Sequence, residues 1–454
     1  MSRPVLVYGV GVAGVATVRA LIARGYDVVA VDDVMSDSKN AALRSLGLSL
    51  VEQPDATELD RMVKGCAFVA PAPGLAESHP VVMAAIKHGV ALRSELDLAY
   101  EWEQMRPDGP RPMLSVTGTD GKTTTVSMVE AILNASGRRS IACGNTEIPL
   151  VEALDLDVDV FVVEATSFRL AFTEQFRAEA SAWINLAPDH LDWHRSMKSY
   201  EAAKARQWRH VQSSDVAIGY VGDDVVMKHL RQARCRQVTF GLEDGDYRQD
   251  EGRLVGPSGT VMNVAELRRS LPHDITNALA ASALVLESGL GSVETIKSAL
   301  HDFLPPHHRI EFVAEHNGVR WFDDSKATTP HAALTAIRGF ESVVLIAGGR
   351  NKGLDLTVMS AASNRVHSVI ALGESASEIV QAFQDKVPVT IVGSMREAVE
   401  TAQRQAKETD VVLLSPGCTS LDWYTGYAER GQDFVRQVAE VTGAISPRIL
   451  EIRS

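Results

Sequence analysis

A Gly-Lys-Thr loop is the part of the sequence whose residue types point most directly to chemistry. Residues 117–124 read TGTDGKTT, after a predicted strand over Met113–Val116 and before a helical run over Val126–Leu133. Backbone N–H groups of a glycine loop between a strand and a helix can surround the phosphates of a nucleotide. The loop is shorter than the usual form, because Val116 stands where its first glycine would be. A chance Gly-Lys-Thr in a surface loop is the alternative interpretation.

The residues of this segment, called here the phosphate loop, have distinct expected roles. Lys122 would reach the β- and γ-phosphates of ATP, and the Thr123 hydroxyl would bind Mg²⁺, which prefers oxygen ligands. The remaining residues expected to contact the phosphates are Gly118, Thr119, Gly121 and Thr124. The sequence therefore predicts an ATP site at residues 117–124.

A second glycine pattern, called here the first glycine loop, lies near the N-terminus. Residues 9–14 read GVGVAG after a predicted strand over Pro4–Tyr8, and Asp32 and Asp33 end the second predicted strand. Glycines at this spacing allow a backbone to approach a pyrophosphate at a helix N-terminus. The pattern alone is compatible with an NAD-dependent dehydrogenase, with a UDP-sugar site, or with a tight turn that binds no ligand.

Charged residues farther along the chain could complete a phosphate-transfer site. Glu164 follows a predicted strand over Val158–Val163, and His190, Lys204 and Lys326 lie in three later polar segments. Carboxylates suit Mg²⁺, and lysines neutralise developing negative charge. Taken singly, a lysine is most often solvated and a histidine most often a hydrogen-bonded core residue. Only the ordered set favours a shared site.

The composition limits the classes of function. The chain has 454 residues, a net charge of -13, 45% hydrophobic and 23% charged residues. This is globular composition without the excess of basic residues typical of nucleic-acid binding. The four cysteines form no Cys-x-x-Cys pair, and neither a signal peptide nor an apolar run of membrane-spanning length occurs. We expect a cytoplasmic protein without nucleic-acid or membrane partners.

The elements that must position these residues follow an α/β pattern. Short apolar runs alternate with amphipathic stretches, which indicates parallel sheets with helices between their strands. A proline-containing turn over Met105–Pro112 and the pair Pro305-Pro306 suggest boundaries. The sequence predicts three consecutive domains: a Rossmann-like domain over 1–98, a central P-loop ATPase-type domain over 99–304, and a Rossmann-like domain over 305–454.

Five motifs in order give the chain a specific resemblance. They are TGTDGKTT at 117–124, VVEATSF at 162–168, NLAPDH at 185–190, YEAAK at 200–204 and DDSKAT at 323–328. Their order and spacing resemble those of the Mur ligases and folylpolyglutamate synthetases. The latter lack an N-terminal domain with a G-x-G-x-x-G loop, so the chain resembles the Mur ligases. That resemblance implies an ATP-dependent ligase that forms a C–N bond through an acyl phosphate.

The resemblance also implies ligands for particular residues. Two Mg²⁺ sites would use Thr123 and Glu164, and His190 with Lys204, the latter carbamylated by CO₂. Lys326 would act at the reaction centre. The remaining implied contacts are the adenine with Asn277, ATP with Arg309 and Asp324, and the muramoyl group with Asn145.

The third domain resembles that of the family members that add D-glutamate to UDP-N-acetylmuramoyl-L-alanine. The motifs are GGRNKG at 348–353 and SPGCTSLD at 415–422, and the Asp-Asn-Pro-Arg motif of diaminopimelate-adding members is absent. Both substrates are small molecules, and a monomer is expected. The resemblance places glutamate on Thr328, Lys352, Ser420 and Tyr427, and the UDP group near Val12, Ala13, Asp32 and Gly74.

Several residues depart from the family pattern. Asp120 and Asp274 stand where asparagines are usual, Thr146-Glu147 replaces Ile-Gly, and Pro188 replaces an acidic residue. A carboxylate cannot donate the hydrogen bonds of an amide, and Asp120 would repel phosphate. These departures leave open a ligase for L-glutamate or another acidic amino acid, and a nucleotide-binding protein without catalysis.

Overall fold

The computed structural model describes residues 3–191 and 193–444. Within it the chain forms two compact units. The first comprises Met1–Leu186, Trp193–Ser270 and Asp274–Phe303, and the second comprises Ala187–Asp192, Leu271–His273 and Leu304–Ser454. The predicted division into three domains remains a prediction.

The N-terminal part of the first unit is a parallel four-stranded sheet in the order β3-β2-β1-β4. Its strands are short apolar runs, and the helices between them bury one face each, as expected for βαβ units. The elements are β1 (Val5–Tyr8), α1 (Val12–Ala23), β2 (Val28–Asp32), α2 (Asp37–Ser45), β3 (Leu50–Glu52), α3 (Ala56–Gly65), β4 (Val69–Pro71), α4 (Pro80–His88) and α5 (Glu95–Gln104).

The central part of the first unit contains a parallel six-stranded sheet in the order β10-β9-β8-β5-β7-β6. The phosphate loop follows its inner strand β5, so both neighbouring strands end beside that loop. The elements are β5 (Met113–Thr117), α6 (Lys122–Ala135), β6 (Ser140–Gly144), α7 (Leu150–Ala153), β7 (Val160–Glu164), α8 (Ser167–Leu170), β8 (Ala180–Trp183), α9 (Met197–Ala205), β9 (Val216–Tyr220), α10 (Asp224–Leu230) and β10 (Arg236–Phe240).

The first unit ends with a small antiparallel sheet and two helices. Residues of this sheet and of both helices share a buried apolar core with the central sheet. The elements are β11 (Arg248–Asp250), β12 (Arg253–Gly256), β13 (Gly259–Asn263), α11 (Pro272–Glu287) and α12 (Val293–Asp302), with 3₁₀ turns at Arg206–Trp208 and Val264–Glu266.

The second unit is built on a six-stranded sheet in the order β14-β15-β19-β16-β17-β18. Only the edge strand β14 is antiparallel to its neighbour. Two apolar clusters involve its strands, which is the burial pattern of an open sheet with two covered faces. The elements are β14 (Glu311–His316), β15 (Val319–Asp323), α13 (Pro330–Arg338), β16 (Val343–Gly348), a 3₁₀ segment (Leu356–Arg365), β17 (Val366–Leu372), α14 (Ala376–Phe383), β18 (Val389–Ile391), α15 (Met395–Gln405), β19 (Val411–Gly417) and α16 (Tyr427–Thr442).

The predicted α/β class is confirmed, and the differences concern individual strands. The strand expected over Val90–Leu92 is only an isolated bridge between Leu92 and Val69. The strand expected over Ala182–Leu186 ends at Trp183, because the chain then turns beneath the phosphate loop. Periodicity missed β10, whose first residues are exposed and charged or polar.

Two further findings concern the cysteines and the helices. All four cysteines, Cys66, Cys143, Cys235 and Cys418, carry free thiols. Among residues 3–191 and 193–444, no helix combines the length and apolar character needed to cross a bilayer.

Candidate active site

The phosphate loop turns sharply between β5 and α6. Gly121 has a φ of +83°, and a Cβ atom there would lie 2.8 Å from Oδ1 of Asn277. A Cβ atom at Gly118 would lie 2.5 Å from Cγ1 of Ile184. Gly121, the N-cap residue of α6, has no side chain with which to cap the helix. The first-turn N–H groups of α6, which include those of Thr123 and Thr124, have no intrahelical acceptor and suit an anion.

Two lysines predicted for the site meet at this loop. Lys122 Nζ donates to the carbonyl oxygen of Thr119 at 2.7 Å, and Lys204 Nζ donates to that of Gly118 at 2.5 Å. Lys204 is 1% exposed and lies over the ring of Tyr200, 4.5 Å from its centroid. The interpretation of Lys204 as a solvated surface residue, which its sequence context alone favours, is therefore wrong.

Glu164 lies at the end of β7, next to the start of the phosphate loop. The register pairs Glu164 with Val116 of β5, which places the carboxylate at the loop. Its Oε1 accepts a hydrogen bond from Nδ2 of Asn145 at 3.0 Å. Its Oε2 is buried and has no hydrogen-bond partner among the described residues. A buried carboxylate oxygen without a donor is costly, and a cation would satisfy it.

Asn277 and Asp274 lie one turn apart on α11. Oδ1 of Asn277 accepts a hydrogen bond from the Thr125 hydroxyl at 3.3 Å, beside the phosphate loop. Asp274 is buried, and its two oxygens accept from Nε and Nη2 of Arg269 at 2.7 and 2.6 Å. This bidentate pair explains how a carboxylate is accommodated where the family has an amide. Arg269, which precedes α11, was not among the predicted site residues.

The first glycine loop is shaped by Asp32. Its carboxylate accepts hydrogen bonds from the backbone N–H groups of Val10 and Val34, at 2.7 and 3.0 Å, and from Nζ of Lys39 at 2.8 Å. Burial raises the pKa of the Asp32 carboxyl, but these donors together lower it below its usual value. Asp32 is thus held ionised at the end of β2.

The other residues predicted to hold the UDP group surround the start of α1. A Cβ atom at Gly14 would overlap the carbonyl oxygen of Gly9, so this glycine allows the helix to approach the strand. Val12 is 77% exposed, Ala13 is half-buried, and no side chain caps this helix. Gly74 is exposed in the turn after β4.

In the second unit, Asp324 follows β15 and is buried. Its oxygens accept from the Ser415 hydroxyl at 2.7 Å and the backbone N–H of Ile310 at 3.2 Å. Burial is the main cause that raises the pKa of the Asp324 carboxyl to about 7, and the charge of Arg309 opposes this effect.

The raised pKa of Asp324 predicts a pH dependence of stability. Because the folded state binds this proton more tightly than the unfolded state, stability falls as the pH rises from about 4 to about 7. We expect the free energy of unfolding of D324N, relative to the unmodified protein, to increase by about 3 kcal/mol between about pH 5 and pH 8. Urea unfolding of both proteins across this range measures it. A difference independent of pH would contradict the assignment.

Lys352, expected to bind a carboxylate of the incoming amino acid, lies against an acidic residue of the same unit. Its Nζ is 2.6 Å from Oδ1 of Asp189, whose Oδ2 is 3.0 Å from Nε2 of His190. Burial raises the pKa of the Asp189 carboxyl, but His190 and Lys352 bring it well below its usual range. Asp189 was not among the predicted site residues, although it directly precedes His190 in the motif at 185–190.

Two of the remaining predicted residues of the second unit, Lys326 and Tyr427, meet at the start of α16. Lys326 Nζ lies 3.7 Å from the ring centroid of Tyr427, whose carbonyl oxygen accepts from the Ser325 hydroxyl at 2.7 Å. Ser420 is buried and Thr328 half-buried. The buried Arg430 was not among the predicted site residues. Its guanidinium donates to the carbonyl oxygens of Ser325 and Cys418, so it joins two predicted binding segments.

Another charged group supports the segment that carries Asp324. His308 Nδ1 is 2.6 Å from Oδ2 of Asp323, and the His308 N–H donates to Glu311 at 2.9 Å. The side chains of His308, Glu311 and Asp323 lie close enough to one another to hold a metal ion. Because the three residues already bind one another, this arrangement is explained as structural support.

The structure therefore assembles the predicted residues in separate sets. Around the phosphate loop, the first unit gathers Lys122, Glu164, Lys204, Asn277 and Asn145. The second unit holds the others, which were expected to contact Mg²⁺, ATP, the reaction centre or the amino acid: His190, Arg309, Asp324, Lys326, Thr328, Lys352, Ser420 and Tyr427. Each set offers cations or backbone donors suited to anionic ligands.

Comparisons with known proteins cover nearly the whole chain. Residues 116–285 match the model of the Mur ligase middle domain, and residues 308–418 match that of the Mur ligase glutamate ligase domain. The UDP-N-acetylmuramoylalanine--D-glutamate ligase of Frankia casuarinae is 39% identical, covering 96% of this chain and 93% of that protein. The enzyme of the same name from Thermobifida fusca is 37% identical, covering 97% and 99%.

Solved structures agree in fold. The UDP-N-acetylmuramate-alanine ligase of Thermotoga maritima has a TM-score of 0.59 at 19% identity, covering 96% of this chain and 99% of that chain. A pseudomurein peptide ligase type C from Methanothermus fervidus has a TM-score of 0.60 at 17% identity, covering 97% and 99%. These identities support the fold alone. Together with the matched domains and the full-length relatives, they lead to one conclusion: the chain belongs to the Mur ligase family.

Proposed function

We propose that the protein joins D-glutamate to UDP-N-acetylmuramoyl-L-alanine and converts ATP to ADP and phosphate. The observation that carries this proposal is the similarity, over nearly the entire chain, to ligases named for that reaction. The substrate carboxylate would attack the γ-phosphate to give an acyl phosphate and ADP. The amine of glutamate would then displace phosphate and lose a proton, forming the amide.

The first unit would bind ATP at the phosphate loop. The two groups that react in the first step, the substrate carboxylate and the γ-phosphate of ATP, are both anions. Charge neutralisation is therefore the main catalytic requirement. Lys122 would leave the Thr119 carbonyl oxygen to contact the phosphates, while Asn277 would approach the adenine. Mg²⁺ would supply neutralising charge. The buried Oε2 of Glu164, which has no hydrogen-bond partner among the described residues, and the Thr123 hydroxyl are oxygen ligands suited to this ion.

We propose two Mg²⁺ sites, with His190 and a carbamate on Lys204 as further Mg²⁺ ligands. The carbamate forms when the uncharged amine adds CO₂ and releases a proton. It keeps one N–H on Nζ, so the hydrogen bond to the Gly118 carbonyl oxygen can persist while two new oxygens become available. The burial of Lys204 beside the phosphate loop supports this proposal.

The UDP group would bind at the first glycine loop. The uncapped start of α1 presents N–H groups near Val12 and Ala13, which suits a pyrophosphate. Asp32 would hold the loop in shape through its backbone hydrogen bonds, and Gly74 would leave space beside it. The similarity to ligases favours this ligand over NAD. Asn145 would contact the muramoyl part while it also orients Glu164.

Glutamate would bind the second unit. Thr328 and Lys352 would take the α-carboxylate, and Ser420 with the Tyr427 backbone would take the side-chain carboxylate. Lys352 has three N–H donors, so it can contact both Asp189 and a substrate carboxylate. Arg309 and Asp324 would reach ATP, and Lys326 the reacting groups.

The proposal includes the organisation of the chain. The domain boundaries would be 1–98, 99–304 and 305–454. The protein would act as a cytoplasmic monomer on small-molecule substrates.

Phosphate release from ATP tests the proposed reaction. With UDP-N-acetylmuramoyl-L-alanine and Mg²⁺ present, we expect release to require D-glutamate and to remain at background with L-glutamate or no amino acid. Release with L-glutamate alone would overturn the amino-acid assignment and retain the ligase. If neither D-glutamate nor L-glutamate stimulates phosphate release, the proposed reaction is rejected.

A further inference from the structure

Asn185 lies just after β8 and binds the backbone of the phosphate loop. Its Oδ1 accepts hydrogen bonds from the N–H groups of Thr119 and Asp120, at 2.8 and 3.0 Å. Its Nδ2 donates to the carbonyl oxygen of Asp120 at 3.1 Å. One amide therefore holds both peptide groups of Asp120, and only an amide supplies the two acceptor bonds and the donor bond together.

Neighbouring contacts strengthen this arrangement. Ile184 lies beneath both glycines, because a Cβ atom at Gly118 or Gly121 would be 2.5 or 3.1 Å from its side chain. The backbone of Asn185 adds a bond, since its carbonyl oxygen accepts from the Thr119 N–H at 3.2 Å. The segment over 184–185 thus forms a rigid support for the turn that precedes α6.

The hydrogen bonds to Asn185 divide the donors of the phosphate loop. The N–H groups of Thr119 and Asp120 point to Asn185, whereas those at the start of α6 have no intrahelical acceptor. Because both of its peptide groups are held, the direction of the Cα–Cβ bond of Asp120 is fixed by the backbone.

We propose that Asn185 is a positioning residue for ATP binding, which fixes the loop so that the first turn of α6 presents its N–H groups to the phosphates. This inference rests on the proposed use of ATP. Replacement by alanine removes all the side-chain bonds. Replacement by aspartate keeps the acceptors, loses the donor to Asp120 and adds negative charge near the phosphates.

Titration of the full chain with Mg²⁺ and ATP, without the other substrates, tests the proposal. We expect N185A to weaken ATP binding at least tenfold and N185D to weaken it further. Asn134 offers a matched control in the same unit, since its Oδ1 accepts two hydrogen bonds from Ser140. We expect N134A to bind ATP within twofold of the unmodified protein.

A purely structural role for Asn185 predicts different results. Then N185A and N134A would lower the melting temperature without a selective change in ATP affinity, and the proposal would be overturned. In turnover assays of N185A, we expect the KM for ATP to rise while the KM for the UDP substrate stays constant. If N185A does not fold, N185S, which keeps one acceptor, replaces it in the same comparison.

The result can be separated from the proposed reaction. Unchanged ATP affinity of N185A overturns the role of Asn185 even if D-glutamate is the substrate. Conversely, if neither glutamate isomer stimulates phosphate release, the proposed reaction is rejected. The ATP titration still decides the role of Asn185 in that case.

Discussion

Replacing Lys122 with alanine is expected to lower kcat/KM for phosphate release by about 100- to 1000-fold. The proposed reaction brings a carboxylate against the γ-phosphate, and Lys122 is the loop lysine placed to neutralise that charge. Removal of one preorganised group that stabilises developing charge typically has this effect. Because Lys122 Nζ donates its hydrogen bond to a backbone carbonyl oxygen, its loss should change the melting temperature little.

Lys228 provides the control for this substitution. It is exposed in the same unit and pairs with Glu201 at 2.8 Å, away from the phosphate loop. We expect K228A to retain the activity of the unmodified protein, and K122R to recover part of the loss because it keeps the charge. Activity of K122A within threefold of the unmodified protein would exclude the proposed role.

Replacing Arg269 with alanine is expected to reduce the free energy of unfolding by about 3 to 5 kcal/mol. The carboxylate of Asp274 is 2% exposed, and Arg269 supplies its bidentate hydrogen bonds. Removing one member of a buried ion pair leaves a charge that water no longer stabilises. Since Asp274 and Asn277 lie on one face of α11, ATP binding should weaken as well.

Urea unfolding measures this effect, and a second substitution separates its cause. In R269A/D274N the uncharged amide removes the buried charge, so we expect at least half of the lost stability to return. The pair Arg253–Glu251 is largely exposed, and R253A should cost about 1 kcal/mol or less. If R269A and R253A lose equal stability, the buried pair has no special importance.

The phosphate loop could be predicted because its determinants are contiguous. Residues 117–124 carry the glycines, lysine and threonines in one segment, and the strand before them was placed within one residue of β5. The start of α6 was predicted four residues late. Its first turn is Lys-Thr-Thr-Thr, which carries no apolar periodicity, and only backbone geometry reveals it.

The partners of the charged residues could not be predicted in the same way. Lys204 contacts a carbonyl oxygen 86 positions away, and Asn185 binds peptide groups 65 and 66 positions away. Such contacts leave no local pattern. A nearer pairing was missed as well, because Arg269, 5 positions before Asp274, binds the carboxylate that stands where an amide was expected.

The α/β class, the order of the motifs and the residue types available for an ATP-dependent ligase could be predicted from the sequence, since each depends on local spacing. The tertiary structure alone decided that Lys204 is buried, that Glu164 has an unsatisfied oxygen, and that Asn185 supports the phosphate loop. The sheet order β8-β5-β7 brings the ends of these distant strands together at one loop. Burial and hydrogen bonding then depend on neighbours in space, which spacing along the chain does not specify.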